Sequence, residues 1–261
     1  MSNKFKILVL GDSNIDEYVY GSAEKLAADA PVVVFDEIRR VRSPGMAGNV
    51  AKNIQAFGVH CDLITNPNWR SVTKSRLVEE KTNHMFIRRD SKAKIERIKN
   101  IDKIQFNNYD AVICSDYSKG FLSEDDLFKI SSLAKLSFLD SKKPISSFAR
   151  GYDYIKINQH EYKSSKPFLT KSLENKIIET LGSHGARYRD KTYPVKEVEI
   201  KDLSGSGDTF LSALVIKYLQ TGGDINESIK YANAAASITV TKKGVSVLDK
   251  EDLEKLNKEF K

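Results

Sequence analysis

Lys6-Ile7-Leu8-Val9-Leu10-Gly11-Asp12 is an unbroken apolar run closed by a glycine-aspartate turn. A strand covered on both faces needs no polar alternation, and such strands belong to parallel sheets with helices above and below. The first loop on the ligand side of the sheet should start at Gly11. Working outward, Ala111 to Cys114, Ser137 to Leu139, Tyr154 to Ile157 and Lys176 to Thr180 read as further strands of this kind. Helical patterns lie between several of them, such as Ser123 to Leu136, where Ser123-Glu124-Asp125-Asp126 puts a carboxylate three residues after an N-cap serine. Alternating strand and helix predict a doubly wound α/β sheet.

Two regions break the rhythm. Val32 to Val41, and Ser71 to Glu79 with His84 to Arg89, are β-like, carry charges and have no helix between them, which predicts a small β appendage beside the core. The C-terminal third is helical: Phe210, Leu211, Leu214, Val215, Tyr218 and Leu219 make one apolar face, Ile229 to Val240 a second helix, and the two should pack together under the sheet.

The composition limits the partners. Lys and Arg number 42 against 35 Asp and Glu, and the surplus is spread along the chain rather than gathered in a tail, which favours a small anionic ligand over nucleic acid. The sequence opens with no signal-peptide pattern and holds no apolar run of membrane-spanning length, so a cytoplasmic protein that does not engage the membrane is expected. Cys61 and Cys114 read as buried thiols, and His60, His84, His160 and His184 show no metal-ligand spacing.

Asp202-Leu203-Ser204-Gly205-Ser206-Gly207-Asp208-Thr209-Phe210 sets a glycine-rich turn directly before the first of those helices. Glycines let backbone N–H groups crowd an anion and the helix N-terminus adds partial positive charge, so the segment suits phosphate. Asp208, at the same mouth, would be repelled by a bound phosphate unless it had a task such as taking a proton from an attacking hydroxyl. A tight turn with Asp208 as a helix cap accounts for the same residues without chemistry. Neither the P-loop pattern nor a complete dinucleotide fingerprint is present, since the latter fails at Phe210.

The segment 202–210 resembles the D-T-T-G-A-G-D-T-F signature of the ribokinase-like (PfkB) carbohydrate kinases, and four more segments follow in that family's order. Asn14-Ile15-Asp16 is similar to its sugar-binding N-x-D. Pro44-Gly45-Met46-Ala47-Gly48-Asn49-Val50-Ala51 is similar to P-G-G-A-A-N-V-A. Asn158-Gln159-His160-Glu161 resembles N-x-x-E, and Thr180-Leu181-Gly182-Ser183-His184-Gly185-Ala186 resembles T-L-G-x-x-G. The likeness covers residues 5–248 and implies one ribokinase-like domain over 1–261: a doubly wound, mostly parallel sheet flanked by helices, with a β lid from about 17–43 and 71–90. Within the family, Asp29 to Val34, Ser71 to Arg76, Ser115 to Gly120 and Asp140-Ser141-Lys142 resemble kinases of D-glycero-β-D-manno-heptose 7-phosphate.

The resemblance implies ATP and Mg²⁺ as cofactors and a sugar or sugar phosphate as substrate. Asp208 would be the base and Gly205, Ser206 and Gly207 the anion hole. Asp12, Asn14, Asp16, Gly45 and Asn49 would grip the sugar. Lys74, Arg76 and Arg88, with Arg89 beside them, would meet a phosphate already on the acceptor; solvated strand charges are the plainer account of each. Thr180, Gly182, Gly185 and Asn233 would line the nucleotide groove, Asn158 and Glu161 would reach Mg²⁺ through water, and Asp202 would lie near a monovalent cation such as K⁺. A homodimer through the lid is a further expectation. Met46 departs from the family's glycine, the chain between Gly58 and Ser71 is shorter than its look-alikes, and no adenylyltransferase segment of the kind often fused to heptose kinases is expected. Two other readings stay open: a kinase of this fold acting on another sugar or a nucleoside, and a trimmed relative that binds sugar phosphate without catalysis.

Overall fold

In the computed structural model, which describes residues 5–260, strand β1 (Lys6–Gly11) turns Ile7 and Val9 into one apolar cluster and Leu8 and Leu10 into another. All four are fully buried, as an unalternating run requires. After β2 (Ser13–Leu26), β3 (Val33–Met46) and helix α1 (Ala47–Ala56) come β4 (His60–Ile64), β5 (Thr73–Glu79), β6 (Met85–Asp90) and β7 (Ala111–Asp116). Helix α2 (Glu124–Leu133) leads to β8 (Ser137–Ser141) and β9 (Tyr154–Asn158), then α3 (Gln159–Ser165), α4 (Lys171–Glu174), β10 (Ile177–Thr180), β11 (Ala186–Tyr188) and β12 (Lys191–Tyr193). Helices α5 (Ser206–Gln220), α6 (Ile225–Thr239) and α7 (Lys250–Glu259) end the chain.

The larger sheet has the order β12-β11-β10-β9-β8-β7-β1-β4. From β4 to β10 every pairing is parallel, while β11 and β12 return antiparallel, the mostly parallel ribokinase-like sheet that was expected. Val50 and Ile54 of α1, Leu211 and Leu214 of α5 and Ile229 of α6 pack on the face of Ile7 and Val9. Leu127 and Ile130 of α2 cover the other face. The Ser123 cap forms as read, its Oγ accepting from the Asp126 N–H at 3.2 Å while the Asp126 carboxylate accepts from the Ser123 N–H at 2.9 Å. Strand β4 is an edge and lies within the short 58–71 region. Among the described residues, no helix is long and apolar enough to cross a membrane.

The smaller sheet, β3-β2-β5-β6, takes in both β-like regions and begins at Ser13, four residues before the expected lid boundary. Tyr18, Tyr20 and Val78 make its own small core against Val245. It is tied to the 201–205 segment by the Tyr18 hydroxyl, which donates to Asp202 at 3.2 Å, and by the Asn83 amide, which donates to the Lys201 carbonyl at 3.1 Å. Cys114 is buried as expected; Cys61 is only partly buried, because it lies on the edge strand.

Candidate active site

Parallel strands end on one side of a sheet, so the loops following β1, β7, β8, β9 and β10 gather there. Asp12 follows β1. It is fully buried, and its carboxylate accepts the N–H groups of Tyr117 at 2.8 Å, Phe121 at 3.1 Å and Lys119 at 3.5 Å. These bonds make Asp12 a shaper of the loop after β7. Asp116, at the end of β7, is likewise enclosed by Lys143, the Ser141 hydroxyl and the Ser118 N–H. Two buried carboxylates thus hold the turn that carries Tyr117.

Asp208 lies in the first turn of α5, behind Gly205, whose φ of 82° is the left-handed conformation that glycine adopts without strain. The first backbone bond of the helix is Thr209 N–H to the Gly205 carbonyl at 3.0 Å. The Ser206 N–H leans to the Leu203 carbonyl at 3.3 Å, so Ser206 is the least free of the three expected anion-hole members, and the N–H groups of Gly207 and Asp208 are first-turn donors. Each oxygen of Asp208 has a protein donor: the Asn49 amide at 2.8 Å on Oδ2 and the Tyr117 hydroxyl at 3.0 Å on Oδ1. Burial pushes its carboxyl up to about 6, against the pull of the Asn49 hydrogen bond, the Lys156 charge and the Tyr117 hydrogen bond. A base poised near the working pH is what proton removal from a hydroxyl requires.

Asn49 touches this base, and Gly45 is packed against Asn14 and Asp16, whose carboxylate is held by Arg76. Asn14 is fully buried with neither side-chain polar atom hydrogen bonded, and Oδ1 of Asn49 is also without a partner. Orphaned buried amides cost free energy, so a cluster of them marks a place for a polar ligand rich in donors and acceptors. Asp16 accepts from Arg76 at 2.8 Å, and both are almost fully buried. Arg76 is thus the partner of an acid rather than a free cation. Met46 adopts φ 57°, ψ −132°, a conformation for glycine, at a cost of about 1–3 kcal/mol that its buried side chain helps offset.

Cross-strand register sorts the expected phosphate-binding cations. Lys74 faces Asp90 and Arg76 faces Arg88, on the same side as Asp16, whereas Arg89 faces Ser75 on the opposite side. Arg89 leaves the cluster for that reason. Arg88 is more than half exposed and paired with Asp90 at 2.9 Å. Lys74 has no carboxylate at ion-pair distance among the described residues; its ammonium lies 5.2 Å from the Tyr117 ring centre, and burial lowers its pKa.

On the other side of Gly207 is a cavity of about 440 Å³ that brings together Thr180, Gly182, Gly185, Ser206, Gly207 and Asn233. Its apolar lining comes from Leu203 of the glycine-rich segment and from Val195, Val198, Ile200, Ala236 and Val240, which lie outside every motif. Asn233 donates to the Tyr193 carbonyl at 2.8 Å and so braces the cavity wall. Gly185 has no room for a side chain, since a Cβ there would lie 2.0 Å from that same carbonyl oxygen.

Among the described residues, no group of three or more His, Cys, Asp and Glu could hold a metal alone. Asn158 and Glu161 form a reciprocal cap on α3, at 2.9 Å each way, and the second Glu161 oxygen is paired with Lys142. The carboxylate oxygen with spare capacity is Oδ1 of Asp140, buried and unpartnered, while Oδ2 accepts from Lys156 at 2.7 Å. This donor set fits Mg²⁺, which keeps waters and binds through one or two carboxylates plus phosphate oxygens. Each oxygen of Asp202 accepts one protein donor, from Tyr18 and, at 2.8 Å, from the Ser204 N–H, which leaves lone pairs for a cation such as K⁺. Lys142, Lys156, Asp140 and Tyr117 were assigned no role from sequence; each acts through residues distant in the chain.

A base beside a glycine loop, with orphaned amides on one hand and a nucleotide-sized cavity on the other, defines a phosphotransferase with a small polar acceptor. The model of the pfkB family carbohydrate kinase matches residues 68–252, and the chain belongs to that family. It is 27% identical to the bifunctional protein HldE of a Nitratiruptor species, over 99% of this chain and 66% of the relative, and 26% identical to that of Rhodopseudomonas palustris, over 95% and 62%. The chain thus spans just under two thirds of the length of these relatives. Its fold is similar to Thermotoga maritima ribokinase (TM-score 0.71, 19% identity, 97% of this chain and 99% of that one). It is also similar to Escherichia coli phosphofructokinase-2 in complex with substrates and products (TM-score 0.72, 14% identity, 98% and 99%).

Proposed function

We propose that this carbohydrate kinase transfers the γ-phosphoryl of ATP to the anomeric hydroxyl of D-glycero-β-D-manno-heptose 7-phosphate. The observation that carries the acceptor class is Lys74, a half-buried cation with no carboxylate at ion-pair distance among the described residues, on the strand face it shares with Asp16. A neutral sugar needs no such cation. The likeness to the HldE proteins supports the heptose.

In this reading Asn14, Asn49 and Asp16 hold the sugar hydroxyls and Asp208 takes the proton as the acceptor oxygen attacks. The Gly207 and Asp208 N–H groups and the Lys156 ammonium face the transferring phosphoryl. Asp140, and Glu161 through water, would hold the Mg²⁺ that accompanies ATP, and the ion would supply neutralisation of phosphate charge. The smaller sheet serves as a lid that keeps competing water out. Within a cell, the reaction belongs in the cytoplasm, where ATP is supplied.

ADP release from Mg·ATP with heptose 7-phosphate, fructose phosphates, ribose, fructose and adenosine tests the acceptor. Heptose 7-phosphate should have the highest kcat/KM. Lys74→Ala should raise its KM about ten- to a hundredfold, while Arg88→Ala, already paired and exposed, changes it by less than about threefold. An unchanged KM in Lys74→Ala, or a neutral acceptor used best, would discard the phosphorylated acceptor. The lid also exposes Ile38 and Val41 on one edge strand and Met85 and Ile87 on the other, apolar side chains that a second copy would cover. Sedimentation velocity at micromolar concentration should show a dimer that Ile87→Asp dissociates; a monomer at every concentration removes that assembly.

A further inference from the structure

We propose that Tyr117 positions the Asp208 carboxylate for proton transfer, its phenol holding Oδ1 while Asn49 holds Oδ2. The inference rests on the kinase reading and names a residue that reading does not need. A carboxylate held through one oxygen can still turn about its last side-chain bond. Donors on both oxygens, one from α1 and one from the loop after β7, fix its plane and leave its remaining lone pairs for the acceptor hydroxyl.

Tyr117 is itself held in three ways. Its backbone N–H is bound by Asp12, the next residue takes a left-handed φ of 55° with its N–H on Asp116, and two ammonium groups lie near its ring. Lys74 is 5.2 Å from the ring centre and Lys142 is 5.3 Å from it. Lys142 also pairs with Glu161, so the phenol stands between the acceptor side and the nucleotide side. Burial raises the Tyr117 phenol well above its ordinary value and keeps it a donor.

The charged groups facing Asp208 are Asp140 from β8, Lys156 from β9 and Lys142 after β8. Asp140 favours the protonated acid, whereas Lys156 and the Asn49 and Tyr117 donors favour the carboxylate. Loss of the phenol therefore moves Asp208 upward in pKa and leaves less of it able to accept a proton at neutral pH.

Tyr117→Phe keeps the ring and both ammonium contacts, so the fold is preserved. At pH 7 its kcat should fall about tenfold with KM for ATP within about twofold, and the acidic limb of its kcat/KM profile should move up by about half to one pH unit. The same shift is read without turnover by the ¹³C carboxyl resonance of Asp208, assigned by its loss in Asp208→Asn. A space-filling tyrosine would leave both the limb and the resonance midpoint where they are, which overturns the proposal. If the wild type turns over no acceptor, the kinase reading fails by itself, and the resonance midpoint still decides whether Tyr117 holds Asp208.

Discussion

Asp208→Asn should lower kcat by about two orders of magnitude or more while KM for ATP stays within about twofold. The amide is nearly the same size, so it can stay between Asn49 and Tyr117, but it cannot accept the acceptor's proton. The cavity proposed for ATP lies beyond Gly207 and is not lined by Asp208. In the wild type the acidic limb of kcat/KM should lie near pH 6, because the base is lost as pH falls through the raised value of Asp208. Steady-state kinetics from pH 5 to 8 reads both effects. An unaltered kcat in Asp208→Asn takes this residue out of the mechanism.

Gly45→Ala should raise acceptor KM by about two orders of magnitude or more and leave ATP affinity, measured by calorimetry, within about twofold. Gly45 on β3 is the register partner of Asn14 on β2. A Cβ there would lie 2.1 Å from Oδ2 of Asp16 and 2.3 Å from Oδ1 of Asn14, closer than any real contact. Asp16 cannot yield freely, since Arg76 holds its other oxygen, and Asn14 is fully enclosed. The methyl group therefore dislodges the groups proposed to hold the sugar. A thermal melt separates this from unfolding: a folded variant with unchanged acceptor KM would mean that the acceptor binds elsewhere.

The α/β core was legible because Lys6 to Leu10 and its counterparts bury both faces, which leaves an unbroken apolar signature in one segment. Strand β2 was not: Ser13 to Leu26 mixes serine, carboxylates and tyrosines, and it is ordered by strands on both sides rather than by its own pattern. The cavity-lining residues around Gly182 and Gly207 were legible because glycine turns at helix and strand ends are local, whereas Asn233, inside α6, was placed there only by the resemblance. The partners of Asp12 were not legible for the opposite reason. An acid after a strand looks like a ligand-binding group, and the N–H donors that claim it come from residues 105 to 109 positions further on. Lys156 likewise sits in an apolar strand, and only the neighbouring strand reveals that Asp140 is its partner and Gly207 its neighbour.

The account stands most directly on where the phosphate goes. Wild-type protein incubated with Mg·ATP and heptose 7-phosphate, followed by ³¹P NMR, should give ADP and one new phosphate signal coupled to the anomeric proton, with the 7-phosphate signal retained and no product from Asp208→Asn. Bound ATP with no new phosphate ester on this or any other sugar acceptor would contradict it.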